Sequence, residues 1–139
     1  MPTPWRRWLA RFAWPDRDRY HDSSDENTAV IVIIEEARAV ERIDEIAATA
    51  GVDVMFIGTS DLSFSLGLRG DQNHPKLHEA IARVVDAGKR HAKFLGRPAG
   101  TPEQVTEYMR QGFQLFQAPT EIGLMTTAAR AYMGSLEGS

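Results

Sequence analysis

The feature that most constrains this chain is an alternation repeated four times beyond Thr28: a short β-branched or aromatic run, then a longer stretch with apolar residues at helical spacing. Ala29 to Ile34 (AVIVII) is a continuous β-branched run, as expected of a strand covered on both faces in a parallel sheet. Glu36 to Ala50 follows, with Ala39, Val40, Ile43, Ile46 and Ala47 on one helical face and Gly51 as a stop. Val52 to Ile57 (VDVMFI) predicts a second strand, succeeded by a Gly-, Ser- and Leu-rich turn and a helix over Pro75 to His91. Ala92 to Gly96 is a third, shorter strand. Thr101, Pro102 and Gln104 then combine an N-cap, a first-turn proline and a capping-box partner for a helix reaching about Arg110. Gly112 breaks that helix, Phe113 to Ala118 (FQLFQA) predicts a fourth strand, and Ile122 to Leu136 a terminal helix.

Strands alternating with helices imply parallel strands joined by right-handed crossovers, hence an α/β architecture. A complete eight-unit (β/α) barrel takes about 250 residues. Four units in 139 residues therefore fit a partial barrel, half of the full ring. Four parallel strands left open present two unpaired edges, which motivates association with a second copy or a complementing chain. The sequence divides at Thr28. Residues 1–27 comprise an amphipathic segment, with Trp5, Trp8, Leu9 and Phe12 at three- and four-residue spacing, and a polar linker from Pro15 to Asn27. The apolar stripe calls for cover by the rest of the protein or a second subunit, with surface membrane contact as the alternative. Residues 28–139 form the β/α unit.

Composition removes several classes of function. Sixteen basic and nineteen acidic residues, interspersed, give a net charge of −3, so neither a polyanion nor an acidic membrane is an expected partner. There is no cysteine, which excludes disulfides, thiolate metal sites and a cysteine nucleophile, and agrees with a cytoplasmic setting. The longest apolar run, Ala29 to Ile34, falls far short of the roughly 20 residues of a membrane span. The first fourteen residues lack the apolar core of a secretory signal.

In parallel α/β folds, sites assemble where strands end. That rule selects Glu35, which follows the first strand, and Asp61, just after the second in GTSDLS. Neighbouring strands lie about 4.8 Å apart, so carboxylates leaving the same strand ends can converge on one cation. Hard oxygen ligands suit Mg²⁺ or Mn²⁺, and two protein ligands leave coordination positions for water and a chelating substrate. The alternatives are ordinary: Glu35 as a cap for the following helix, Asp61 as an Asx-turn residue. His21 reads as a solvated loop residue, His78 and His91 as surface or helix-dipole residues. Arg38, Glu41, Arg42, Asp44 and Glu45 form a charged, solvated helix face.

The stretch IVIIEEARAVERIDEIAATAGVDVMFIGTSDLSFSLGL, continued through GDQNHPKLHEAIARVVDAGKRHAKFLGRPAGTPEQVTEYMRQGFQLFQAPTEIGLM, resembles the HpcH/HpaI aldolase family. The resemblance covers roughly Thr28 to Met125 and implies that these are the C-terminal β/α units of the family's barrel. It implies a (β/α)₈ barrel that binds a divalent cation (Mg²⁺ or Mn²⁺, with Co²⁺ a further option) through one Glu and one Asp, the positions of Glu35 and Asp61. It also implies metal-assisted carbon–carbon lyase chemistry joining a pyruvate-like 2-oxo acid to an aldehyde, with Gly58, Thr59 and Ser60 as substrate-binding positions. Two departures stand out. Family members usually carry Pro at the position of Thr59, and the glycine- and serine-bearing turn after the last strand reads here as Ala118-Pro119-Thr120-Glu121. The family's acid/base histidine and substrate-gripping arginine come from the first half of the barrel, so no catalytic acid or base is assigned here. The alternative is a truncated, non-catalytic half-barrel that assembles with itself or a partner chain.

Overall fold

The computed structural model describes residues 28–137, with the side chains of the last two outside the description. The amphipathic segment and polar linker expected over residues 1–27, and His21 with them, lie outside the described residues. Strand β1 (Ile31–Ile34) leads into two short helices, α1 (Ala37–Glu41) and α2 (Ile43–Ala48). Strand β2 (Val54–Ile57) is followed by α3 (Thr59–Ser65) and α4 (Pro75–Arg90), β3 (Phe94–Pro98) by α5 (Pro102–Gln111), and β4 (Leu115–Gln117) by α6 (Glu121–Glu137). The strands form one parallel sheet in the order β1-β2-β3-β4, each paired with its sequence neighbour. This is the expected α/β arrangement of four consecutive β/α units.

Three local readings need correction. The single helix expected over Glu36 to Ala50 is two, because Arg42 leaves helical geometry (φ −107°, ψ 24°) and serves as C-cap of α1 and N-cap of α2. The turn after β2 is the helix α3, so Asp61 is its third residue rather than part of an open turn. The third strand runs two residues later than expected, ending at Pro98 rather than Gly96. Ala92 in a left-handed conformation (φ 53°) lets the chain turn before β3 begins.

Strand alternation divides the sheet into two faces. Ile34, Met55, Ile57 and Leu95 point to the helix side, where they meet Leu77, Ile81, Val84 and Val85 of α4, Ile43 and Ala47 of α2, and Phe113. Helix α4 is the centre of this layer, touching β2, β3, α1, α2 and α3. Its first turn is capped by His74, whose Nδ1 accepts from the Lys76 amide. The opposite face carries Ile31, Ile33, Phe94 and Leu115, all exposed, Ile33 and Phe94 by 60% and 59%. Helix α6 is exposed at all its described residues except the half-buried Gly123. No helix among the described residues is long and apolar enough to cross a membrane.

Candidate metal and substrate rim

Strands β1 and β2 pair in register, Ile34 opposite Ile57, so Glu35 and Gly58 are the first residues beyond the same ends of two neighbouring strands. The Gly58 amide extends the ladder by donating to the Ile34 carbonyl at 3.1 Å. Glu35 shares the parity of Ile31 and Ile33, which places it on the face away from the helices. A Cβ at Gly58 would stand 3.2 Å from Glu35 Cβ and 3.3 Å from Glu35 Oε2. The Glu35 carboxylate thus lies over the backbone that begins α3, and glycine is the residue that leaves room for it.

Asp61 belongs to the first turn of that helix. The amides of Thr59, Ser60 and Asp61 have no carbonyl one turn earlier in α3 to bond, as at any helix start. The turn is braced from behind: Ser63 Oγ donates to the Ser60 carbonyl at 2.7 Å, and Gln72 Nε2 to the Thr59 carbonyl at 3.4 Å. Ser65 Oγ accepts the Ala37 amide at 2.9 Å, tying the end of α3 to the start of α1 and so holding the two carboxylate-bearing rim segments together. Ser63, Ser65 and Gln72 carry no recognisable motif; their contribution depends on chain reversals that spacing does not reveal.

Glu35 does not cap the helix that follows it. The N-cap of α1 is Glu36, with no side-chain capping bond, and Ser65 satisfies the Ala37 amide instead. Glu35, Ser60 and Asp61 are exposed, Gly58 is half-buried and Thr59 is buried. Among the described residues no group of three or more His, Asp and Glu side chains converges on a point. Exposed carboxylates such as those of Glu35 and Asp61 are hard oxygen donors, the chemistry that suits a divalent cation.

The other polar residues have ordinary surroundings. His78 Nε2 is 3.0 Å from the Gln72 carbonyl, and His91 caps the end of α4 beside Asp44. The charged face of α1 and α2 is solvated, with an Arg42–Glu45 pair at 2.6 Å and an Arg90–Asp44 pair at 2.6 Å between α4 and α2. Arg90 holds the Asp44 carboxyl below its usual range, and Arg42 does the same for Glu45.

Comparison with known proteins identifies the family of the fold. The model of the HpcH/HpaI aldolase/citrate lyase family matches residues 7–128, extending upstream of Thr28. The 5-keto-4-deoxy-D-glucarate aldolase of Enterobacter sp. (strain 638) is 31% identical over 118 residues, 85% of this chain and 46% of the relative. The 2-dehydro-3,6-dideoxy-6-sulfogluconate aldolase of Pseudomonas putida is 31% identical over 86% of this chain and 47% of its own length. A crystal structure of a HpcH/HpaI aldolase/citrate lyase family protein from Burkholderia cenocepacia J2315 superposes with a TM-score of 0.82 at 36% identity, covering 87% of this chain and 47% of that one. The chain spans about half the length of the curated relatives it matches. With its four parallel β/α units matching half of a barrel, the chain belongs to the HpcH/HpaI aldolase/citrate lyase family.

Proposed function

We propose that residues 28–139 form the metal-binding half of a class II aldolase that makes or breaks carbon–carbon bonds of 2-oxo acids, with an aldehyde as the other reactant. The observation that carries this reading is the Glu35 carboxylate lying across Gly58 at the start of the helix bearing Asp61. Glu35 and Asp61 would hold a divalent cation, Mg²⁺, Mn²⁺ or Co²⁺. Bound there, the cation supplies Lewis-acid stabilisation of charge developing on the 2-oxo oxygen. The chain's own groups position the acid. Glu35 approaches from β1 and Asp61 from α3, while the first-turn amides at Thr59 and Ser60, beside Gly58, are oriented dipoles suited to a substrate carboxylate. Ser63 and Gln72 keep that turn in place through its carbonyls. The names of the two curated aldolases support a keto-acid substrate.

Binding should be separable from turnover. Mn²⁺ titration, read by water-proton relaxation, is expected to give a site in the 139-residue chain that Glu35→Ala and Asp61→Ala each weaken by about tenfold or more, in line with loss of a charged ligand. Equal affinity in all three proteins removes the metal assignment. Decarboxylation of oxaloacetate in the presence of Mn²⁺, abolished by a chelator, reports the same chemistry without an aldehyde.

A second reading is favoured by one observation, the uncovered apolar face of Ile31, Ile33, Phe94 and Leu115. On that reading the half-barrel is an assembly unit that pairs with itself or with a complementing chain and has no turnover of its own. A family fold does not itself confer activity. Bound Mn²⁺ without oxaloacetate decarboxylation would favour it.

A further inference from the structure

A cavity lies on the opposite side of the sheet from the Glu35 carboxylate. It is a cleft of about 740 Å³ between α4 and α5, with Thr59 and Gly100 at its strand-end margin, Val85 and Asp86 on one wall, and Gln104 and Tyr108 on the other. Its volume falls within the range of small-molecule sites, about 300–1,000 Å³. It is open because α5 packs loosely: none of its residues is fully buried, whereas α4 buries seven.

At the floor of the cleft is Arg97, on β3 with the same parity as the core residue Leu95, and so facing the helices rather than the Glu35 side. Its guanidinium carbon sits 3.7 Å from the centroid of the Tyr108 ring and 5.3 Å from that of Phe113. The rings fix its position and displace water from it. Its Nε is buried without a hydrogen-bond partner. Burial lowers its proton affinity from the ordinary value, yet a guanidinium stays charged at neutral pH. Among the described residues no carboxylate pairs with Arg97, although Asp86 lines the same cleft. A partly desolvated cation without a counter-ion is costly, and an anionic ligand would offset that cost.

We propose that the α4–α5 cleft binds a small hydroxylated monocarboxylic acid, its carboxylate on Arg97 and a hydroxyl toward Asp86. Arg97 selects for the carboxylate, as guanidinium–carboxylate contacts are among the strong hydrogen bonds. Asp86 selects against a second carboxylate, because two like charges in a half-enclosed cleft repel. The site is independent of the metal rim. Thr59 and Gln72 adjoin both, Gln72 Nε2 donating to the Thr59 carbonyl.

The test uses the full chain with a chelator present, so that the metal rim takes no part. D-glycerate is titrated at constant ionic strength while the Arg97 Nε–H resonance and the amides of Gly100 and Gln104 are followed by NMR, with malonate and chloride as comparators. Saturable shifts at these three positions are expected with glycerate, weaker ones with malonate and none with chloride. Arg97→Met, which keeps an apolar stem on Tyr108, should weaken glycerate binding about tenfold or more while the spectrum stays dispersed. Asp86→Asn should narrow the gap between glycerate and malonate. Absence of saturable shifts in the unsubstituted chain, identical shifts with chloride, or full glycerate affinity in Arg97→Met overturns the proposal. Should Arg97→Met lose its dispersed spectrum, an unchanged glycerate-to-malonate ratio in Asp86→Asn overturns it instead.

Discussion

Gly96 shows how single residues shape this half-barrel. It lies mid-strand in β3, where a side chain would meet Phe56 Cδ2 at 2.5 Å, Leu115 Cβ at 3.2 Å and the Leu115 carbonyl oxygen at 3.3 Å. The Phe56 ring can rotate, but the Leu115 carbonyl belongs to the neighbouring strand and cannot. Gly96→Ala is therefore expected to destabilise the fold by about 1–3 kcal/mol, the usual cost of overpacking, read as a lower urea midpoint at unchanged m-value. An unchanged midpoint would mean that β4 gives way at no cost. The positions of Glu35 and Asp61 beyond neighbouring strand ends were legible in the sequence, because an acid soon after a β-branched or aromatic run is a one-dimensional pattern. Gly96 and Gly58 were not, because what each must avoid comes from other strands: Leu115 and Phe56 in one case, Glu35 in the other. Arg97 was equally silent. The expected strand ended at Gly96, whereas β3 runs on to Pro98 and takes Arg97 into the sheet, and its ring partners Tyr108 and Phe113 come from residues further along the chain.

Among the elements, α5 was the best signalled, and its signals are physically realised with one change. Thr101 Oγ accepts the Gln104 amide at 3.3 Å, as an N-cap should, but Gln104 Oε1 reaches past Thr101 to the Gly100 amide at 2.7 Å. At the other end Gly112 adopts φ 107°, and its amide closes on the Met109 carbonyl at 3.1 Å. A helix with no fully buried residue depends on its caps more than one anchored in the core. Thr101→Ala is expected to cost about 1 kcal/mol and to raise amide exchange in the first turn of α5 more than in α4. Uniform exchange across both helices would show that α5 is held by packing instead. The split between α1 and α2 was not legible, since the apolar spacing from Ala39 to Ala47 runs on across Arg42. What interrupts it is the departure of Arg42 from helical dihedrals, for which composition gives no cue.

At the scale of the molecule, the two faces of the sheet are unequal. One is sealed by α4 and its neighbours, and the other leaves Ile31, Ile33, Phe94 and Leu115 in contact with solvent, while β1 and β4 each have an edge unpaired among the described residues. Fully burying one such side chain contributes about 1.5–3 kcal/mol, so four of them outweigh a substantial part of the cost of association. Eight parallel strands close a barrel and four do not. Two copies placed with β4 of each against β1 of the other would close the sheet and bury both bare faces within one interior. A complementing half-barrel from the missing part of the relatives' length would do the same. Light scattering over a concentration series is therefore expected to show self-association of the 139-residue chain. Phe94→Asp, at a position 59% exposed in the single chain, should reduce the mass to that of a monomer with little change in helix content. A carboxylate tolerated in water is not tolerated in a dry barrel interior. A monomer at every concentration, or association undiminished in Phe94→Asp, would place the contact elsewhere and leave the bare face to a partner other than a second copy.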